Sequence, residues 1–63
     1  MMLIHARDTS PGDVVLTPQY SSYGVRVKSV TISEDGSTML KYEDDTVEWF
    51  DSINIILRKD NVE

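Results

Sequence analysis

Cysteine is missing from this chain, and histidine occurs only once. Without cysteine, neither a disulfide framework nor a Cys-based zinc site can stabilise the fold. The three glycines are scattered, which excludes a glycine-rich loop that would cradle a phosphate. At 63 residues, the sequence predicts one domain over 1-63, near the lower size limit for folding without help.

Long hydrophobic runs are also missing. The opening "MMLIHARD" (1-8) is too short and too soon charged for a signal peptide, and no stretch approaches the length of a membrane span. We therefore expect an intracellular protein, cytoplasmic or nuclear, with no membrane partner. A core of this size supplies about 3–5 kcal/mol, so a partner or a homo-oligomer would add needed stability.

Positive charge is scarce, with six Lys and Arg against eleven Asp and Glu, a net charge of −5. This balance disfavours nonspecific nucleic-acid binding, which relies on Lys and Arg to displace phosphate counterions. The acids cluster at 34-35, at 43-45, at Glu48 and at Asp51. Two interpretations stay open: the clusters are solvated turns, or they form an acidic patch that meets a basic partner or mimics phosphates.

Strand patterns dominate what is present. The apolar or alternating segments are 14-16, 25-32, 38-42, 46-50 and 55-58. Within "VRVKSVTI" (25-32) the alternation shifts phase near Lys28, which predicts a β-bulge. Asp35-Gly36 is a strong hairpin signal, and "EDD" (43-45) predicts a second tight hairpin. "DSIN" (51-54) predicts one short 3-10 turn.

Five short strands with two tight hairpins predict an all-β fold, a single five-stranded SH3-like barrel. Closing the sheet removes edges that would recruit other chains. The barrel occupies about 13-58, after an N-terminal segment (1-10) and before a frayed tail (59-63). The period-2 pattern predicts a core of apolar side chains: Val15, Val25, Val27, Ile32, Leu40, Val47, Trp49, Ile55 and Leu57.

Catalytic constellations are missing. His5 has no second histidine or cysteine near it, so no metal site and no cofactor are expected. None of the serines sits in a nucleophile elbow. A barrel this small leaves little room for a pocket that would desolvate a pair of carboxylates. We expect the protein not to be an enzyme.

Two stretches, "VVLTPQYSSYGVRVKSV" (14-30) and "MLKYEDDTVEWFDSINIIL" (39-57), resemble a Tudor domain. In that family of SH3-like barrels, an aromatic in the first loop and an aromatic-acid-acid-glycine hairpin form a site for methylated lysine or arginine. Tyr20 takes the first-loop position, and Tyr42 with Asp44 takes the hairpin positions. Thr46 and Val25 stand where further cage aromatics are usual, and Asp45 replaces the glycine.

The candidate partner-binding residues are Tyr20, Tyr23, Tyr42, Asp44 and Phe50. The loop tyrosines supply contact area at low entropic cost. Tyr42 is interpreted either as core with its hydroxyl at the rim or as a surface residue. Phe50 either packs beneath the first loop or the N-terminal segment, or joins an exposed apolar patch. Trp49 alternates with Val47, which predicts that it faces the interior.

Three functions remain open at this point. The first is a non-catalytic module that binds a protein, or a basic or extended peptide, through the loop tyrosines and the acidic hairpin. The second is a nucleic-acid-associated barrel that uses Arg26, Lys28 and Lys41, which the net charge disfavours. The third is an acidic stand-alone inhibitor that occupies the nucleic-acid or protein groove of a partner.

Overall fold

A computed structural model describes residues 2–58 and shows an all-β protein. Its strands are β1 (Met2–His5), β2 (Val14–Leu16), β3 (Val25–Ile32), β4 (Thr38–Tyr42), β5 (Val47–Phe50) and β6 (Ile55–Arg58). Met1 and the predicted tail at 59-63 lie outside the described residues. The described residues contain no helix of the length and apolarity needed to cross a membrane.

The strands pair in the order β1-β6-β2-β3-β4-β5, and all neighbours are antiparallel. Four of the strands curl into a half-barrel and two form a smaller sheet. The β2–β6 pairing joins β6, with β1 beside it, to the other strands. The predicted bulge is confirmed, because the β3–β4 register shifts between Val27 and Ser29. The extra residue lets β3 bend, so that residues 25–26 pair with β2 and residues 27–32 pair with β4.

The N-terminal segment carries the main addition to the expected fold. Residues Met2–His5 pair with β6 as a sixth strand, and a 3-10 turn follows at Ala6–Asp8. That turn buries Ala6 in the core. The 3-10 turn predicted over 51-54 is instead a single turn, closed by the Asn54 N–H donating to the Asp51 carbonyl at 3.1 Å.

The 42-46 hairpin has a three-residue loop. The Tyr42 N–H donates to the Thr46 carbonyl at 2.9 Å, and the Asp45 N–H donates to the Tyr42 carbonyl at 2.9 Å. Asp45 closes the loop in the left-handed region, at φ 70°. A three-residue loop that ends on a left-handed residue is a common hairpin connection, in which glycine is favoured at that last position.

Among the described side chains, the core differs in membership from the predicted one. Its buried apolar residues are Ala6, Val15, Val27, Leu40, Tyr42, Phe50 and Ile56. Val15, Val27 and Leu40 are therefore confirmed, and Val25 is half-buried against the core. Four predicted core residues are exposed: Ile32, Val47, Trp49 and Ile55. The side chain of Leu57 lies outside the described set.

The predicted orientation of β5 is wrong: the face that was predicted to be buried is exposed, and the opposite face enters the core. Cross-strand pairing places Leu40 opposite Glu48 and Thr38 opposite Phe50. Residues opposite each other point to the same face of a sheet, and Leu40 is fully buried. Phe50 therefore enters the core, at 7% exposure, and Trp49 points outward, at 57%.

Candidate functional site

The first loop begins with a turn that fixes Tyr20. The Tyr20 N–H donates to the Thr17 carbonyl at 3.0 Å and to the Thr17 hydroxyl oxygen at 3.2 Å. Pro18 occupies the second position of this turn, where its fixed φ is favourable. Tyr20 is consequently held half-buried, with its hydroxyl directed toward the 42-46 hairpin.

The Tyr20 hydroxyl joins the first loop to the hairpin. It donates a short hydrogen bond to Oδ2 of Asp44 and lies 2.7 Å from the hydroxyl oxygen of Thr46. The Thr46 hydroxyl in turn donates to Oδ1 of Asp44 at 2.6 Å, and the Thr46 N–H donates to the same oxygen at 3.1 Å. We call Tyr20, Asp44 and Thr46 the rim cluster.

These contacts set the charge state of the rim cluster. The Thr46 hydroxyl, followed by the Tyr20 hydroxyl, stabilises the charged carboxylate and lowers the pKa of Asp44 below its ordinary value. The carboxylate is itself fully exposed. The cluster therefore presents a permanent negative charge at neutral pH, held in a defined position between the loop and the hairpin.

Tyr42 supports the rim from inside. Its ring meets that of Tyr20 edge to face, with ring centroids 5.1 Å apart and planes at 79°. The ring is fully buried, and its hydroxyl donates to Oε1 of Glu48 at 2.7 Å. Burial, aided by the bond to Glu48, raises the pKa of Tyr42 far above its ordinary value. Tyr42 is thus a core residue that positions Tyr20.

The remaining predicted site residues are not brought together. Tyr23 lies in the same loop and is 89% exposed, the most open of the aromatic side chains that the structure describes. Phe50 packs in the core, so the interpretation that places it in an exposed patch is wrong. The structure thus gathers Tyr20, Tyr42 and Asp44, leaves Tyr23 free in solvent, and removes Phe50 from the surface.

Sequence reasoning treated Thr46 only as a missing cage aromatic. Its hydroxyl is a central member of the rim cluster. Part of this was predictable, because an aspartate in a turn commonly accepts a hydrogen bond from the backbone N–H two residues further on, which here belongs to Thr46. The exposed position of Trp49 was also missed.

Three cations lie against the acids of the same hairpin. Lys28 Nζ is 2.9 Å from Oδ1 of Asp45, and Lys41 Nζ is 4.0 Å from the same atom. Arg26 Nε lies 3.8 Å from Oε1 of Glu43. The hydrogen bond and charge of Lys28, with the charge of Lys41, lower the pKa of Asp45. These cations neutralise the hairpin acids instead of forming a free basic stripe.

A separate groove of about 320 Å³ is formed by β1, β6 and the start of the first loop. Its described lining is apolar with two hydroxyls: Leu3, Leu16, Thr17, Pro18, Ser21, Ile55 and Ile56. None of these side chains is ionisable. Within residues 2–58, no three His, Asp or Glu side chains lie close enough together to hold a metal ion.

Comparison of the chain with models of protein families, with curated proteins and with solved structures gave no match.

Proposed function

We propose that this chain is a non-catalytic interaction module that binds a partner protein at the rim between its first loop and the 42-46 hairpin. The observation that supports this most directly is the hydrogen bond from the Tyr20 hydroxyl to Asp44. It preorganises an aromatic ring and a carboxylate from distant parts of the chain into one surface. Preorganised aromatic anchors lower the entropic cost of binding.

For the architecture, we propose a Tudor-like member of the SH3-like barrels. The order β6-β2-β3-β4-β5 supports five barrel strands, with β1 added beside β6. The shared, bulged strand β3 and the two three-residue hairpins also support it. A barrel of this kind brings the first loop and the second hairpin to one end, where the rim cluster lies.

The partner segment that we propose is basic. Asp44 and the exposed Glu43 lie at the rim, and the chain carries a net charge of −5. Complementary charge speeds encounter and suppresses wrong partners. The pairing of Arg26, Lys28 and Lys41 with hairpin acids weighs against the nucleic-acid alternative. An acidic inhibitor that occupies another protein's groove would use the same surface.

A methyl-ammonium cage is not required for this function. Because Tyr42 is fully buried, its ring offers no face to a ligand. The Asp44 oxygens already accept hydrogen bonds from the Tyr20 and Thr46 hydroxyls. We therefore propose that an unmodified basic side chain approaches the exposed outer side of Asp44 while the partner backbone contacts Tyr20 and Tyr23.

The test is capture of partners from nuclease-treated lysate by the tagged chain and its variants. Tyr20→Ala and Tyr23→Ala should each abolish capture of a protein that the wild type retains, and raising the salt concentration should weaken capture. Circular dichroism must show that both variants stay folded, since Tyr20 also packs on Tyr42. Tyr42→Ala is unsuitable here because it removes a core side chain.

Arg26→Ala and Lys28→Ala serve as matched controls on the same end of the molecule. Both should leave capture unchanged. Loss of capture in this basic pair, with both tyrosine variants still active, would reject the proposed surface. Capture by the wild type from untreated lysate, but not from nuclease-treated lysate, would then favour the nucleic-acid function.

A further inference from the structure

Among residues 2–58, strand β5 stands at one end of the pairing order, with β4 as its neighbour. The bond from the Tyr42 N–H to the Thr46 carbonyl sets the hydrogen-bonding phase of the hairpin. In an antiparallel pair, only alternate residues direct their N–H and C=O groups at the neighbouring strand. Residues 46, 48 and 50 therefore face β4. Val47 and Trp49 direct their N–H and C=O groups away from it, at the outer edge.

The same two residues expose apolar side chains. Val47 is 44% exposed and Trp49 57%, and Met39 lies directly opposite Trp49 on β4. Exposed edges are usually protected by proline, lysine, a bulge or an inward charge. Among these β5 has only Glu48, whose carboxylate is held by the Tyr42 hydroxyl. The edge combines an open ladder with an apolar outer face.

We propose that this edge pairs with β5 of a second copy of the chain, antiparallel, about a two-fold axis through Trp49. Only alternate residues point outward, so a self-pairing ladder must place outward residues opposite each other. Centring the axis on Trp49 does this: it sets Trp49 opposite Trp49 of the second copy and Val47 opposite Asp51. The Asp51 N–H already donates to the Asn54 side-chain oxygen at 2.6 Å, so at this pair only the Asp51 carbonyl oxygen is offered to the Val47 N–H. The neighbouring register, centred on Glu48, would set two carboxylates opposite each other.

The outer face is complementary in the Trp49-centred register. Lys41 lies opposite Val47, so Asp51 of the second copy follows on the same face, two strands from Lys41. That separation is about 10 Å, which a lysine side chain can span. Lys41, which also lies 4.0 Å from Oδ1 of Asp45, thereby faces the exposed Asp51 of the other copy in each half of the dimer. An aromatic row of two tryptophans, flanked by Met39 from each copy, fills the centre.

Charge and area set the strength of the association. Two copies of net charge −5 repel each other, and salt screens this repulsion. Self-association should therefore strengthen as salt rises, which is opposite to the binding of a basic partner. An interface made by one four-residue strand is at the small end of specific interfaces. We expect a dimer that forms only at high protein concentration.

The test is sedimentation equilibrium of the purified chain from about 10 μM to about 1 mM, at low and at high salt. The wild type should shift from monomer to dimer, more strongly at high salt, and the Trp49 emission should move to shorter wavelength in parallel. Val47→Pro should remain monomeric, because it removes an outward N–H without removing a bond to β4. Trp49→Lys, which places a charge on the edge, should also remain monomeric.

Leu3→Thr is the matched control, because Leu3 is an exposed apolar residue on β1, at the other end of the pairing order. It should dimerise like the wild type. A wild type that stays monomeric at about 1 mM in high salt overturns the proposal. So does a dimer that persists in Trp49→Lys, or one that Leu3→Thr abolishes.

Discussion

The hydroxyl of Tyr20 donates a hydrogen bond to the carboxylate of Asp44, 24 residues further along the chain. This contact joins the loop after β2 to the turn between β4 and β5. Thr46 completes the arrangement, since its hydroxyl bonds the other carboxylate oxygen. The position of Tyr20 therefore depends on the charge of Asp44. A change that neutralises Asp44 is expected to release Tyr20, and a change that removes the Tyr20 hydroxyl is expected to alter the titration of Asp44.

Replacing Tyr20 by Phe should raise the pKa of Asp44 toward its ordinary value of 3.8, because one donor to the charged carboxylate is lost. Thr46→Val should raise it further, since the Thr46 hydroxyl contributes most to the lowering. A pH titration of the Asp44 carboxyl carbon by NMR measures both. Tyr23→Phe is the control, and an Asp44 titration that Tyr20→Phe leaves unchanged would contradict the contact.

The same contact predicts a pH dependence of stability. A carboxyl group whose pKa is lower in the folded than in the unfolded state stabilises the fold above the unfolded value. That contribution is lost as the pH falls through the lower, folded value. The wild-type protein should therefore have a higher melting temperature than Tyr20→Phe near neutral pH. This difference in melting temperature should shrink as the pH falls below 3.8. Thermal melts of both proteins across this pH range test whether the stability difference decreases on acidification.

Phe50→Ala should lower the free energy of unfolding by about 3–5 kcal/mol, as expected for a buried phenylalanine. Trp49→Ala should lower it by about 1 kcal/mol or less, because Trp49 contributes mainly a cross-strand contact with Met39. Urea denaturation of the two variants makes the comparison. Equal losses would mean that the faces of β5 are not as described.

Asp45 should reveal the backbone requirement of the hairpin. It lies at φ 70°, and Gly36 lies at φ 91° at the same point of the other hairpin. Asn tolerates the left-handed region better than Ala does. Replacing Asp45 by Asn or by Ala removes the ion pairs with Lys28 and Lys41 in either case. Asp45→Ala should therefore have a lower denaturation midpoint than Asp45→Asn, and the reverse order would exclude a left-handed Asp45.

Thr38→Val should stabilise the protein by about 1 kcal/mol. The Thr38 hydroxyl oxygen is buried and has no hydrogen-bond partner among residues 2–58. Valine keeps the shape and removes that polar group. Thr17→Val is the matched control, because the buried Thr17 hydroxyl oxygen accepts a bond from the Tyr20 N–H. It should destabilise, and a loss of stability in Thr38→Val would contradict the reasoning.

The face of β5 was within reach of sequence reasoning. A three-residue loop at 43-45 places Tyr42 opposite Thr46, so Leu40 must lie opposite Glu48. With Leu40 in the core, Phe50 faces inward and Trp49 outward. The apolar alternation of Val47 and Trp49 instead predicted that Trp49 faces inward, and the sequence analysis followed that pattern. Loop length was the better guide, because register follows from turn geometry.

The inward face of β6 had no comparable local signal. Ile55, Ile56 and Leu57 form a continuous apolar run. Which of them enters the core depends on the pairing of β6 with β1 and β2, both distant in sequence. The structure buries Ile56 and exposes Ile55. Strand β1 was missed for the same reason, since it pairs with β6, about 50 residues further along the chain.

The sequence by itself determined the strand segments 14-16, 25-32, 38-42 and 55-58, both hairpins and the bulge in β3, because each follows from local alternation and turn chemistry. It also indicated that Tyr20, Tyr42 and Asp44 belong together. Only the tertiary structure decided that Tyr42 is buried, that Thr46 bridges the cluster, and that Trp49 lies on an open edge. These properties depend on the register and curl of the sheet, which contacts between distant residues set.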